Sequence, residues 1–167
     1  MKRPRKRWLG LILVGAMTVG IIACAKKESV APSDPTLIVL DDCEIRYNGS
    51  VVMQDVNHKA ALVTSLEFTN NSSEAISYIW AVSEKAFQDG IGLDPATVPA
   101  DEGSFEPITK SQLTEIQPGK TIEVRSAYIL PDSEADTIEI EFSQLSGKKK
   151  GELTIELSDI VDETTTK

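Results

Sequence analysis

The stretch TIEVRSAYIL, Thr121 to Leu130, sets Ile122, Val124, Ser126, Tyr128 and Leu130 on one side of an extended chain and Glu123, Arg125, Ala127 and Ile129 on the other. Successive side chains of a strand point to opposite faces, so a period of two marks a strand lying between a core and water. The same period returns in Ile138, Ile140 and Phe142 against Glu139 and Glu141, and in Leu153, Ile155 and Leu157 against Thr154 and Glu156. Antiparallel sheets with one buried and one wet face read this way. Upstream, Leu37 to Tyr47, Val51 to Val56, Ala60 to Thr69 and Ile76 to Phe87 are rich in β-branched and aromatic residues and bounded by turn residues. The expected fold class is all-β: an antiparallel β-sandwich of about seven strands.

Two turns are expected between these strands. Asn48-Gly49 fits a type I′ hairpin, whose two central residues both need positive φ, and Gln117-Pro118-Gly119-Lys120 fits a type II turn, with proline presetting φ and glycine accepting the left-handed position. Asn70-Asn71 supplies a further turn after Phe68, and Cys43, in step with Ile45 and Tyr47, is read as a core residue rather than a reactive thiol.

The amino-terminal end has a different composition. Lys2, Arg3, Arg5, Lys6 and Arg7 precede 16 uncharged residues, Trp8 to Ala23. As a helix that run spans roughly 24 Å, short of the ~30 Å hydrocarbon core, which fits the apolar region of a signal peptide better than a permanent span. It ends in Ile21-Ile22-Ala23-Cys24, which resembles the lipobox of bacterial lipoproteins. That resemblance implies cleavage before Cys24 and a diacylglyceryl group on its thiol. Two acyl chains hold a domain stably at a membrane where one chain does so only marginally.

The expected organisation is therefore a signal peptide over residues 1–23, a lipidated Cys24 and flexible tether over 24–36, a sandwich over 37–157 and a disordered tail over 158–167. The tether AKKESVAPSDPT has an r.m.s. reach of about 20 Å. Without residues 1–23 the chain has 12 basic against 26 acidic residues, a net charge of −14 in place of the whole-chain −9. A body that acidic repels phosphate backbones, so nucleic acid is excluded as a partner class.

Phe68-Thr69-Asn70-Asn71-Ser72, Phe87-Gln88-Asp89-Gly90, Pro118-Gly119 and Ala127-Tyr128-Ile129-Leu130 follow one another in an order and spacing that resembles an uncharacterised lipoprotein domain family of Gram-positive bacteria. The resemblance covers roughly residues 37–145 and implies an immunoglobulin-like sandwich, similar to telokin, on the outer face of the bacterial cytoplasmic membrane. Asp89 departs from it, the family more often having Asn there; both residues tolerate a turn before Gly90. The family has no established catalytic residues, so none is implied.

Reading for chemistry returns few candidates. Gly119-Lys120-Thr121 resembles the end of a phosphate loop, but Thr114 stands where the earlier glycine is required and a strand follows. Ser146 and Lys149 have Ser-x-x-Lys spacing within a glycine-flanked connection and lack the companion motifs. His58, the single histidine, sits among Asp55, Asn57 and Lys59 as a loop residue, and Lys148 to Lys150 form a basic strand tip. The connection from Asp89 to Lys110 is long, and long loops in compact domains are often functional. Its Asp94, Asp101, Glu102, Phe105 and Glu106 are the candidate partner surface. No catalytic, cofactor or metal residues are assigned.

The expectation is a lipid-anchored, extracytoplasmic, non-enzymatic binding or interaction module facing a surface protein or wall polymer. The alternative is a small-ligand or calcium-binding accessory lipoprotein.

Overall fold

The structure is a computed structural model that describes residues 34–101, 103–131 and 136–162. Residues 21–24, which carry the lipobox and Cys24, lie outside the described residues, as does Glu102. The described strands are β1 (Leu37–Val39), β2 (Cys43–Gln54), β3 (Ala60–Asn70), β4 (Val82–Gln88), β5 (Ile91–Gly92), β6 (Thr121–Ile129), β7 (Thr137–Gln144), β8 (Lys150–Glu156) and β9 (Val161–Asp162). One helical turn, α1 (Tyr78–Ala81), leads into β4.

Two sheets form, ordered β1-β2-β3-β6, with β9 also on β2, and β5-β4-β7-β8. The arrangement of β2-β3-β6 facing β5-β4-β7-β8 is that of the A-B-E and C′-C-F-G strands of an immunoglobulin-like sandwich, with an irregular segment in place of strand D. The alternation read from sequence places the core. Phe68 faces Ile45 on one side and Ile122 on the other, and Leu66 faces Val124. These residues meet Ile138, Ile140, Phe142, Leu153 and Ile155 of the opposite sheet in one buried cluster. Tyr78 closes it, its ring edge-on to Phe68 at 5.4 Å. Cys43 lies in the same cluster, and burial, reinforced by the neighbouring Asp42, pushes its thiol up to about 11.

Four features differ from the sequence reading. Asn48-Gly49 is not a hairpin: β2 runs through it, with Tyr47 opposite Leu66 and Gly49 opposite Ser65, so Asn48 is the extra residue of a bulge and Gly49 takes φ 132°. The turn with two left-handed residues is instead Asp89-Gly90, φ 52° and 73°, joining β4 to β5. β2 turns into β3 at Asp55–Lys59, where Asp55 Oδ1 accepts the Asn57 and Lys59 amides at 2.8 Å each and His58 takes φ 61°. The type II turn is found as expected, with Gly119 at φ 72° and the Lys120 amide donating to the Gln117 carbonyl at 3.1 Å.

Leu37–Tyr47 and Ile76–Phe87, read as single strands, are each broken. The first folds on itself as β1 and the start of β2; the second spends Tyr78–Ala81 as a helical turn. Sheet pairing also runs past Ser158, because β9 lies parallel to β2 at Val51 and Val52, and two residues can pair without an alternating pattern.

The fourth difference is the outer face of β3-β6, expected to be wet. Ala61, Val63 and Ala127 on that face are buried against Ala96, Val98 and Ile108 of the long connection. The connection is tied down by the amides of Ala96 and Ile129, which donate to the carbonyls of Ala127 and Asp94 at 2.8 Å each. It therefore wraps the free edge of β6 and covers the sheet behind it.

Candidate functional site

In β4, Val82, Glu84, Ala86 and Gln88 share the inward parity. Val82 and Ala86 suit a core, and a carboxylate there must find donors. α1 returns the Tyr78 hydroxyl to Glu84 Oε2 at 2.5 Å, and across the sandwich Ser126 of β6 donates to the same oxygen at 2.7 Å. The Tyr128 hydroxyl also hydrogen-bonds this carboxyl. Gln112 orients Ser126: its Nε2 donates to Ser126 Oγ at 2.9 Å and to the Arg125 carbonyl at 2.8 Å. The two sheets are thus joined at their open flank through one side chain.

The other oxygen is left over. Glu84 Oε1 is buried and has no hydrogen-bond partner among the described residues. Burial raises the Glu84 pKa above the ordinary 4.5, and the three hydroxyls pull it back only in part. The same burial, together with the Glu84 charge, pushes the Tyr78 and Tyr128 phenols up, so both are donors at any physiological pH.

Glu84 lines a cleft of about 540 Å³ between α1, the β6 edge and the long connection. Ile79, Leu145, Pro95 and Ala96 give it apolar walls, with Thr97, Thr109 and Gln112 as polar points. That mixture, a mostly apolar hollow with a few fixed polar groups, is the ordinary constitution of a small-molecule site. A second hollow of about 370 Å³ lies over the outer face of β4-β7-β8 between Lys85, Glu141, Lys150 and Glu152. Lys85, Glu141, Lys150 and Glu152 are strand-face groups open to water, and no buried polar atom without a partner lies there; the Glu84 cleft is the stronger candidate.

The residues singled out from sequence sit elsewhere. Asp94 uses its backbone carbonyl on β6, Asp101 accepts the Ser104 amide in a turn, and Glu106 pairs with Lys110 in the exposed i,i+4 manner. Phe105 projects fully into solvent. None of Asp94, Asp101, Phe105 and Glu106 lines the cleft, although Pro95, Ala96, Thr97 and Thr109 of the same connection do. Among the described residues no three His, Cys, Asp or Glu side chains gather as a metal site would require. The Lys148-Lys149 backbone is held by Asp41, whose Oδ2 accepts their amides at 2.8 and 3.1 Å. The Asn70 motif is structural: buried Asn70 donates to the Glu74 and Ile116 carbonyls at 2.8 and 3.0 Å and accepts from the Ser72 amide at 2.9 Å.

Glu84, Tyr78, Ser126 and Gln112 were missed by the sequence reading. The available signal was an acid at an inward position, Val82-x-Glu84-x-Ala86, which strand parity alone exposes.

The family description "Domain of unknown function (DUF5067)" matches residues 25–144. The chain belongs to this family. Among solved structures, this DUF5067 chain resembles a candidate lipoprotein from Staphylococcus aureus, at TM-score 0.59 and 14% identity over 77% of this chain and 92% of that one. It also resembles an uncharacterised β-sandwich protein from Clostridium difficile, at TM-score 0.51 and 19% identity over 72% and 89%. At such identities the likeness establishes the β-sandwich fold that the DUF5067 chain shares with them. A search of curated protein sequences finds no match.

Proposed function

We propose that this chain is a lipid-anchored, extracytoplasmic, non-enzymatic binding lipoprotein whose sandwich receives a small ligand in the Glu84 cleft. The observation that carries the binding reading is Glu84, a residue of the cleft lining whose carboxyl keeps one buried oxygen without a partner among the described residues. A buried polar atom without a partner costs about 1–3 kcal/mol, and a ligand that donates to it removes that cost. The anchor rests on Ile21-Ile22-Ala23-Cys24 after a basic start and an apolar run, and it is supported by the likeness to a candidate lipoprotein. It places the domain on the outer face of a bacterial cytoplasmic membrane.

This favours the small-ligand form of the function over capture of a surface protein or wall polymer by the tip of the long connection. Pro95, Ala96, Thr97 and Thr109 of the connection line the cleft, and its Asp94, Asp101 and Glu106 do not.

Each half has its own test. Cys24→Ser should move the protein from the detergent phase to the aqueous phase and leave the precursor uncut; a processed, membrane-held variant contradicts the anchor. For binding, small molecules of different charge are screened for raised melting temperature on the full chain and on Thr97→Phe, which narrows the cleft from an exposed position. Hits lost in Thr97→Phe support the cleft. Hits that persist unchanged place binding elsewhere.

A further inference from the structure

Building on the binding reading, we infer that the cleft takes a small organic cation: an alkyl- or arylalkylammonium whose nitrogen lies against the Glu84 carboxyl and whose hydrocarbon lies against Ile79 and Leu145. The polarity of the site carries the inference. Oε2 accepts from Tyr78 and Ser126, and Oε1 has no hydrogen-bond partner among the described residues. Among the described residues lining the cleft there is no Lys, Arg or His, and Glu84 is the sole carboxylate. A cation seated there supplies the positive charge that this lining lacks. A charged donor makes the stronger, shorter hydrogen bond to a carboxylate, and the ammonium is the compact form of it.

Shape and field agree. The cleft, at about 540 Å³, is of small-molecule size. Ile79 and Leu145 of its lining remain 44% and 56% exposed, apolar surface that an ammonium headgroup alone would leave wet. The domain is acidic overall, which draws cations toward it.

The test uses the full chain in an uncharged detergent with benzylammonium and n-butylammonium as probes and benzyl alcohol and benzoate as controls of similar shape. Affinity is read by calorimetry, and the Glu84 carboxyl carbon is followed by NMR in the unaltered protein, so that the result does not depend on any variant folding. Both ammonium probes should bind and shift the Glu84 resonance. Benzyl alcohol and benzoate should bind at least about tenfold more weakly, as expected for loss of one charged hydrogen bond. Glu84→Gln should weaken benzylammonium by a similar factor, and Thr97→Phe, which keeps the carboxylate, should weaken it as well. Equal affinity for benzyl alcohol or benzoate, lost in Thr97→Phe, overturns the cation and leaves a binding cleft standing. Failure of every probe to move the Glu84 carboxyl overturns the cation inference and shows a cleft that holds water only.

Discussion

The two flanks of the sandwich close in opposite ways. At the β1–β8 flank no buried side-chain nitrogen or oxygen of the described residues lacks a partner. Gln144 Oε1 accepts the Asp42 amide at 2.8 Å, its Nε2 donates to Asp42 Oδ2 at 2.7 Å, and Asp41 holds the Lys148 and Lys149 amides. Ile38 lies so close to Gly151 that an added Cβ would stand 2.2 Å from its Cγ2. At the β4–β6 flank the Tyr78 and Ser126 hydroxyls share one oxygen of Glu84, the other has no partner among the described residues, and Glu84 lines a cleft. A sandwich flank is sealed by complete pairing and direct contact; where pairing is left incomplete, the fold leaves a place for something else.

The titrations of the two flanks follow from this. The Lys148 and Lys149 amides hold Asp41 below the usual carboxylate range, and at the β2–β3 turn the Lys59 and Asn57 amides do the same for Asp55. Glu84 goes the other way, because burial outweighs its hydroxyl donors. Asp41 and Asp55 therefore add stability above the ordinary 3.8 that is lost as pH falls through their lowered values. For Glu84 the folded form holds its proton longer than the unfolded one, so its contribution is full below 4.5 and is lost as pH rises through the raised value.

The largest effect is expected at the sealed flank. Gly151→Ala should lower stability by about 3 kcal/mol in urea unfolding, since a branched Ile38 cannot swing clear. Ile38→Ala in the same chain should recover part of that loss, as coupled neighbours do. A neutral Gly151→Ala would break the comparison at its tightest point.

Next comes Gln144→Ala, which strips Asp42 of two partners and should cost about 2 kcal/mol. The matching change on the open flank, Ser126→Ala, removes one of the donors to Glu84 and should cost about half as much. An equal or greater loss in Ser126→Ala would mean that the open flank is no less cooperative than the sealed one.

A smaller effect is a slope. Relative to Glu84→Gln, the melting temperature of the unaltered protein should fall as pH rises from about 4.5 toward neutrality, the window set by the raised Glu84 value. Parallel curves for the two proteins would remove Glu84 as a titrating group. The smallest effect is at Cys43, whose thiol, pushed up to about 11, should resist alkylation at pH 8 until the chain unfolds.

Much of this fold was legible in the sequence, and the misreadings have physical causes. Ile122 to Leu130, Ile138 to Phe142 and Leu153 to Ile155 alternate because each strand divides a core from another environment, and all are strands. Asn48-Gly49 misled because the dipeptide that suits a type I′ turn equally suits a bulge, and pairing partners on β3 decide between them. The long connection misled through its acids: Asp94 and Asp101 are exposed and Glu106 pairs locally with Lys110, while Ala96, Val98 and Ile108 form a second core on β3 and β6.

The cleft was half legible. Glu84 stands at inward parity in the sequence, but Ser126 lies 42 residues further along, and only the crossing of the two sheets brings them together. Tyr128 shares the parity of Ile122 and Val124 and joins the core with them; its hydroxyl also serves the carboxylate. The lipobox was legible in full as a pattern, and Cys24 lies outside the described residues.

The most direct test of the contrast between the flanks is the pH titration of the Glu84 carboxyl carbon by NMR, with Asp41 followed in the same spectra. The account predicts a Glu84 midpoint above 4.5 and an Asp41 midpoint below 3.8. A Glu84 midpoint at or below 4.5 would show a carboxylate already fully satisfied or open to water, and would contradict the open flank as a binding site.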